Sequence, residues 1–237
     1  MLISTKHRTD KPEIMDDFTV KGGVIEDALD KISKINQFLG GNKLTLQGVN
    51  DLISKIDESV EITIVDLGCG NGDMLRMLAD YAEHNNLKFN LIGIDANNFT
   101  ISYAKELSLH YPNIQFRCED IFGNKITELD FDIVLLTLTL HHFKNEEIDT
   151  LLASCHKKAT LGIVINDLHR SSIAYRLFQG LCFVLRLNPI SREDGLTSIL
   201  RGFKKAELIP FSEKLNCKNY TIQWKWAFRY QWIISKI

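Results

Sequence analysis

A chain of 237 residues with 45% hydrophobic and 24% charged residues has the size and composition of one globular α/β domain with a modest extension. Its formal net charge is −2 and no basic stripe stands out, which argues against nucleic acid as the main partner. Five scattered cysteines without a C-x-x-C pair favour a reducing cytoplasm and no zinc cluster. The longest apolar stretch, Leu177 to Leu187, is too short to span a bilayer, so no stable membrane insertion is expected.

Residues 1–57 are predicted to form a helical extension ahead of the main domain, residues 58–237. Residues 1–12 are polar and expected to be loosely held, and Glu13 to Phe18 are expected to form a short helical turn. A 3.6-residue apolar period from Val24 to Leu39 predicts an amphipathic helix that ends at Gly40-Gly41. A second helix is predicted from Thr45, as N-cap, to Ile56. The two helices are interpreted as core packing or a substrate lid, and a dimer surface is left open.

The stretch Ile62 to Leu75 joins a short apolar run, a glycine turn and the first turns of an amphipathic helix. Strand, glycine turn and helix place a ligand on backbone N–H groups at a helix N-terminus. The turn reads G-x-G-x-G through Gly68, Gly70 and Gly72, whereas a dinucleotide fingerprint is G-x-G-x-x-G. Asp66 precedes the turn, and a carboxylate there would repel a pyrophosphate and suit a cationic ligand.

Acidic residues follow the next two predicted strands as well. Asp95 ends the run that starts at Phe89, at a distance from the glycine turn where an acid can accept both hydroxyls of an adenosine ribose. The alternative is that Asp95 caps the helix predicted from Ala96 to His110. Asp120 follows the alternating strand Ile114 to Cys118. The three aspartates therefore end successive strands, at the edge where open α/β sheets bind ligands.

Two histidine-bearing segments follow the fourth and fifth predicted strands. Phe131 to Leu138 is the fourth strand, and His141-His142 come just after it. A histidine there could remove a proton from a hydroxyl, or it could only hydrogen-bond the backbone and shape the pocket. The pair lacks the i, i+4 spacing of a metal helix, so no metal site is expected. The fifth strand is predicted from Leu161 to Ile165. Asp167 and His169 follow it and could bind or deprotonate a phenol or enol, or Asp167 or Ser171 could simply cap a helix.

The remaining elements are read from periodicity. Glu146 to Lys158 is predicted as a helix, and the apolar segment Ile173 to Leu187 either roofs a pocket or packs as a core helix. Helical pieces are predicted at 196–201 and 202–208. Tyr220 to Trp224 and Phe228 to Ile234 both alternate, which predicts an antiparallel hairpin.

The stretch V-D-L-G-C-G-N-G resembles the first motif of the class I S-adenosylmethionine (SAM)-dependent methyltransferases. Phe131 to Leu136 resembles the fourth motif of that family, and the C-terminal hairpin resembles its ending. The resemblance implies a Rossmann-like α/β fold, with a seven-stranded, mostly parallel sheet, helices on both faces and the last strand antiparallel.

The resemblance also implies SAM as the cosubstrate. The glycine-loop amides and Asp66 would hold its amino-acid end, Asp95 the ribose and Asp120 the adenine. His142 and His169 are the candidates for the base that takes the proton of the acceptor. The positions implied for SAM binding are Asp66, Gly68, Gly70, Asn71, Gly72, Asp95, Ala96, Asp120, Ile121 and Thr137.

The N-terminal helices and the segment Asn166 to Arg170 resemble a bacterial subgroup that methylates phenolic or polyketide-type small molecules. The expected activity is therefore methyl transfer to a small organic acceptor, as O-methylation of a phenolic or related apolar compound. An NAD-dependent oxidoreductase and a non-catalytic SAM-binding protein remain alternatives. A small-molecule acceptor is the expected partner, and homodimerisation is left open.

Overall fold

The structure, a computed structural model, describes residues 3–123 and 128–237 and is built around a seven-stranded sheet. The strands are β1 Glu61–Leu67, β2 Lys88–Asp95, β3 Ile114–Cys118, β4 Ile133–Thr137, β5 Gly162–Leu168, β6 Tyr220–Lys225 and β7 Arg229–Ser235. The helices are α1 Gly23–Phe38, α2 Gly41–Ile53, α3 Asp73–His84, α4 Asn98–Leu107, α5 Asn145–Lys158, α6 Ser172–Val184, α7 Pro189–Arg201 and α8 Lys205–Lys214, with short 3-10 turns at Ile14–Asp16 and Leu140–His142.

The sheet has the order β3-β2-β1-β4-β5-β7-β6. Strands β1 to β5 pair in parallel, and β7 is inserted antiparallel between β5 and β6. The predicted seven-stranded, mostly parallel sheet with an antiparallel ending is confirmed. The strand order reverses between β1 and β4, and in open α/β sheets this switch point is where ligands bind.

Apolar side chains cover both faces of the sheet. On one face, Leu151 of α5 and Phe211 of α8 pack in one cluster with Trp232 of β7. On the other face, Leu52 of α2 and Leu75 of α3 lie in a second cluster. Alternate residues of the central strands belong to different clusters, which is why these strands read as continuous apolar runs.

Helix α2 begins four residues earlier than the sequence predicted. Gly40, with φ +78°, separates α1 from α2, and Gly41 already starts the second helix. Thr45 is therefore not an N-cap; it is buried inside α2, and its hydroxyl lies 3.1 Å from that of Thr137. Tertiary packing explains the difference, because Gly48 lets α2 approach β5 so closely that a Cβ would lie 2.5 Å from Val164.

The expectation that residues 1–12 are loosely held is wrong for the part that the structure describes. The Arg8 guanidinium donates to the carbonyls of His141 and Phe143 at 2.9 and 2.8 Å. The buried Arg170 donates to the carbonyl of Thr5 at 3.0 Å and to that of Lys6 at 3.2 Å. The two partners in each of these contacts are at least 133 residues apart in the chain, so no local pattern could have indicated the contacts.

Several other element boundaries differ from the predicted ones. Strand β4 ends at Thr137, because Leu138 adopts φ +56°. Strand β5 extends through Leu168, since its last residues pair with β7. Helix α4 ends earlier than predicted, α7 begins earlier, with Asn188 as its N-cap, and α8 occupies residues 205–214. None of the described helices has the length and apolarity needed to cross a membrane.

Candidate active site

A cavity of about 860 Å³ opens at the carboxyl ends of the central strands. Its walls come from the glycine turn after β1, the segments after β2, β3 and β4, the helices α1, α6 and α7, and the turn between β6 and β7. The cavity lies at the switch point of the sheet, where the three aspartates were predicted to lie. All the predicted site residues except Gly72 line this cavity.

The turn after β1 exposes backbone to the cavity. Gly68, Gly70 and Gly72 have φ values of +76°, +52° and +76°, which side-chain-bearing residues rarely adopt. A Cβ at Gly68 would lie 2.8 Å from Thr139. Gly72 precedes α3 and packs against the Phe116 ring, where a Cβ would lie 2.6 Å away. Gly72 thus shapes the turn from behind the cavity wall.

Asp66 is buried at the end of β1 and lines the cavity. Its Oδ1 atom has no hydrogen-bond partner among the described residues. Burial raises the pKa of this carboxyl well above its ordinary value, and the nearby Asp73 and Asp95 carboxylates add to the rise. A positively charged ligand group beside Asp66 would favour its ionised form, whereas a phosphate would oppose it.

Asp95 ends β2 and is tied to the glycine turn. Its carboxylate accepts the backbone N–H of Gly70 at 3.2 Å and that of Asn97 at 2.9 Å. Burial raises the pKa of Asp95, although these two backbone hydrogen bonds lower it in part. The side chain that caps α4 is Asn97, which accepts from the N–H groups of Phe99 and Thr100.

The other predicted cosubstrate positions also lie at the cavity. Asp120 accepts the backbone N–H of Phe122 at 2.9 Å, and its neighbour Ile121 lines the wall with it. Asn71 is buried, and its amide donates to Asp30 of α1 at 3.2 Å. Ala96 and Thr137 complete this side of the cavity.

The two adjacent histidines are each oriented by a carboxylate. His141 is buried, and its Nδ1 lies 2.7 Å from Asp167 Oδ1. His142 is partly exposed, and its Nδ1 lies 2.6 Å from Asp16 Oδ1. Both histidines line the cavity, and their ring centroids are 4.3 Å apart. Because a carboxylate can only accept, Nδ1 of each neutral ring carries the proton and Nε2 is left as the acceptor.

Sequence reasoning missed the N-terminal half of this cluster. Glu13 is buried, its Oε1 lies 3.6 Å from His141 Nε2, and burial raises its pKa to about 7. Asp16 binds the Arg201 guanidinium at 2.5 Å as well as His142. Burial opposes ionisation of Asp16, but the hydrogen bond and charge of His142 hold its pKa below the ordinary value. Glu13 and Asp16 precede the histidines by more than a hundred residues, so only the fold reveals the cluster.

One group of described residues has the composition of a metal site. Ligand atoms of Glu13, His141 and His142 lie within 4.8 Å of one another. Each of the three already has a charged neighbour, because the histidines face Asp167 and Asp16 and the Arg201 guanidinium lies 3.8 Å from Glu13. These neighbours already bind the three side chains, and the absence of a metal stays a prediction.

His169 also lines the cavity, in a different setting from the histidine pair. Its Nδ1 accepts the indole N–H of Trp224 at 3.1 Å, and its ring packs on Phe228 and Tyr230. Burial lowers its pKa, and the positive charges of Lys204 and Arg170 lower it further. The neutral ring therefore presents an Nε2–H donor. Ser171, at the N-cap of α6, accepts the N–H of Ala174, as the helix-cap alternative predicted.

The remaining walls are mainly apolar. Helix α6, which the sequence assigned to a pocket roof or a core helix, contributes Leu177, Phe178 and Leu181 to the lining. The β6–β7 turn adds Trp226 and Phe228. The cavity thus joins a polar side at the strand ends to an apolar side under α6, and the histidine pair lies in the same lining.

Comparison with protein families gives one match. Residues 64–160 match the family model described as a methyltransferase domain. This range begins within β1 and ends after α5, so it contains the glycine turn, all three strand-end aspartates and the histidine pair. No curated protein matches the sequence.

Several solved methyltransferase structures have a similar fold. The plantazolicin methyltransferase BamL, in complex with a triazolic desmethylPZN analog and SAH, has a TM-score of 0.67 and 15% identity, over 88% of this chain and 90% of that chain. Magnesium protoporphyrin IX methyltransferase from Synechocystis, with bound SAH, has a TM-score of 0.53 and 16% identity, over 82% of each chain. A protein of Nostoc punctiforme described as an O-methyltransferase has a TM-score of 0.57 and 16% identity, over 88% of this chain and 60% of that chain.

Proposed function

We propose that the chain is a class I SAM-dependent methyltransferase and that it methylates an oxygen of a small phenolic or related apolar acceptor. One observation supports this proposal above all. A single cavity joins three strand-end aspartates to an apolar wall, and a carboxylate-oriented histidine lies in the same lining. The polar side suits a cationic cosubstrate, and the apolar side suits an aromatic acceptor.

The residues present fit SAM. The buried Asp66 Oδ1, which lacks a partner among the described residues, would accept the ammonium group. The open backbone at Gly68 and Gly70 would hold the rest of the amino-acid end, Asp95 would accept the ribose hydroxyls, and Asp120 would accept from the adenine amino group. Asn71, Ala96, Ile121 and Thr137 line the same wall, and Gly72 sets the turn.

When bound, SAM supplies a methyl group that its sulfonium already activates. The protein therefore has to align the acceptor, exclude water and handle one proton. Helix α6 and the β6–β7 turn exclude water with Leu177, Phe178 and Phe228. In this proposal residues 1–57 complete the acceptor side, because Glu13, Asp16 and α1 line it.

His142 is the base in this proposal. Its Nδ1–H donates to Asp16, which leaves the Nε2 lone pair to take the proton of an acceptor hydroxyl. His169 has a different role, because its Nδ1 accepts from Trp224 and its Nε2–H is free to donate. We assign it to orienting the acceptor through a hydrogen bond.

A conversion assay with methyl-labelled SAM and a panel of phenols, quinones and small acids tests the proposal. We expect label in phenolic products as methyl ethers, identified by mass spectrometry, and no label when the phenol is already etherified. Methylation only at nitrogen or carbon would contradict O-methylation but leave the class of enzyme intact. Binding of SAM without transfer to any member of the panel would favour a non-catalytic role.

A further inference from the structure

Large apolar side chains are exposed beside the cavity and along α6, the helix that forms one of its walls. We call them the mouth patch: Phe18 (59% exposed), Ile173 (61%), Leu177 (57%), Phe183 (87%), Val184 (73%) and Trp226 (65%). Phe18, Leu177 and Trp226 also line the cavity, so these three residues connect the patch to its interior. Scattered apolar residues are normal on a protein surface, but a group of this size beside a cavity indicates an interaction site.

Most of the mouth patch belongs to α6. Ile173, Leu177 and Val184 are spaced i, i+4 and i+11, so they share one face of the helix. Phe183 lies beside that face. Cys182 on the opposite side of α6 and Ala174 between the two sides are both buried and anchor the helix. The helix therefore lies flat on the protein with an apolar face turned to solvent.

The charged residues of the chain segment that contains this helix have one sign. No aspartate or glutamate occurs between Asp167 and Glu193, whereas Arg176, Arg186 and Arg192 are all exposed in this segment. The whole chain carries a formal net charge of −2, so this segment differs from the average surface. Exposed apolar residues beside arginines, with a tryptophan at the edge, are typical of a helix that lies in the interface of an anionic membrane.

We infer that the mouth patch docks the enzyme on an anionic lipid bilayer, so that the cavity opens toward the acyl chains. Docking itself does not depend on the proposed function. Its consequence for the acceptor rests on that function: a lipophilic phenol dissolved in the bilayer would enter the cavity past Leu177 and Trp226 without crossing water. The arginines would contact lipid phosphates, and the patch would replace water contacts with acyl-chain contacts.

Vesicle co-sedimentation of the full chain tests the inference. Phosphatidylcholine vesicles with and without phosphatidylglycerol separate the apolar from the electrostatic contribution. We expect binding to the anionic vesicles, little binding to the neutral ones, and weakening as the salt concentration rises. Arg186→Ala should weaken binding about fivefold, because each arginine near an anionic surface contributes about that factor.

Substitutions at exposed positions change the patch without disturbing the folded structure, so differences in binding can be compared directly. Phe183→Ser combined with Val184→Ser should reduce the vesicle partition coefficient by about tenfold or more. Matched controls precede β3 and β1, at the amino ends of the strands and away from the cavity: Leu109→Ser, at a position 77% exposed, and Lys55→Ala should bind like the unmodified protein.

Three results would overturn the inference. The first is protein that stays in the supernatant with both vesicle types. The second is equal loss of binding in the patch variants and the controls. The third is a dimer in analytical ultracentrifugation that the patch substitutions abolish while vesicle binding is absent, which would make the patch an interface between two copies. Calorimetric titration with SAM on the same protein separates these outcomes from a failure of the proposed function.

Discussion

Single carboxylates at the strand ends decide what the polar side of the cavity can hold. Asp95 illustrates this, because it accepts two backbone N–H groups and still lines the cavity. The backbone hydrogen bonds fix the orientation of its carboxylate before any ligand arrives. A carboxylate that is held in place contributes more to binding than a mobile one, since less conformational entropy is lost.

We predict that Asp95→Ala weakens SAM binding by about 3 kcal/mol, or roughly 100-fold, because hydrogen bonds to a charged acceptor contribute about 1.5–3 kcal/mol each. Isothermal titration calorimetry measures the change. Asp51→Ala, at an exposed position of α2, is the control and should bind SAM normally. Unchanged affinity in Asp95→Ala would refute the assignment of the ribose to this residue.

A second prediction concerns the base. His142→Ala should lower kcat by about 10²–10⁴-fold, the usual contribution of a positioned base, with little change in SAM affinity. Asp16→Asn should lower kcat as well, because its amide no longer favours the Nδ1–H tautomer of His142. His84→Ala, on the exposed side of α3, is the control. Full turnover in both site variants would remove His142 from the mechanism.

At the scale of elements, the approach of α2 to the sheet depends on one small residue. Gly48 faces Val164 of β5, and the same helix places Thr45 against Thr137 at the edge of the cavity. Any shift of α2 away from β5 would therefore also move Thr45 relative to Thr137, in the wall proposed to bind the cosubstrate.

We predict that Gly48→Ala destabilises the protein by about 1–3 kcal/mol, since the added methyl group overpacks the contact with Val164. Gly180→Ala is the matched control, because nothing lies within 4 Å of a Cβ at that exposed position of α6. It should stabilise the protein by about 0.4–1 kcal/mol through the unfolded state. Urea unfolding measures both, and a neutral Gly48→Ala would show that α2 is free to move.

A structural feature can be predicted from the sequence when the residues that form it are close together in the chain. The glycine turn, the strand-end aspartates and the C-terminal hairpin follow from local patterns, and each lies where those patterns place it. The cluster of Glu13, Asp16 and Arg201 with the histidine pair joins three distant segments, and no local period encodes it. The predicted start of α2 was wrong, because close packing against β5 outweighs the capping preference of Thr45.

At the scale of the molecule, Arg170 joins the N-terminal segment to α8. Its buried guanidinium donates to carbonyls of the N-terminal segment and to both carboxylate oxygens of Glu207 in α8, at 3.0 and 2.6 Å. Burial opposes ionisation of Glu207, but the hydrogen bonds from Arg170 and from the Lys204 backbone hold its pKa below the ordinary value of 4.5.

The stability supplied by this pair should depend on pH. Because the pKa of Glu207 is lower in the folded state, its contribution is complete above the unfolded value and is lost as the pH falls through the folded value. Glu207→Gln should therefore cost about 1–2 kcal/mol near pH 7 and progressively less below about pH 4. Denaturant unfolding over this range checks the prediction, and a cost that does not vary with pH would contradict it.

The walls of the cavity come from separable stretches of the chain. The proposed cosubstrate side consists of residues 66–73, 95–97 and 120–122, while the proposed acceptor side consists of residues 13–39, 168–199 and 226–229. Directed evolution can use this separation, because the two sides can be mutated independently. A library confined to the acceptor stretches should yield enzymes with new acceptor preferences that retain the parental affinity for SAM, so one scaffold can serve many chemistries.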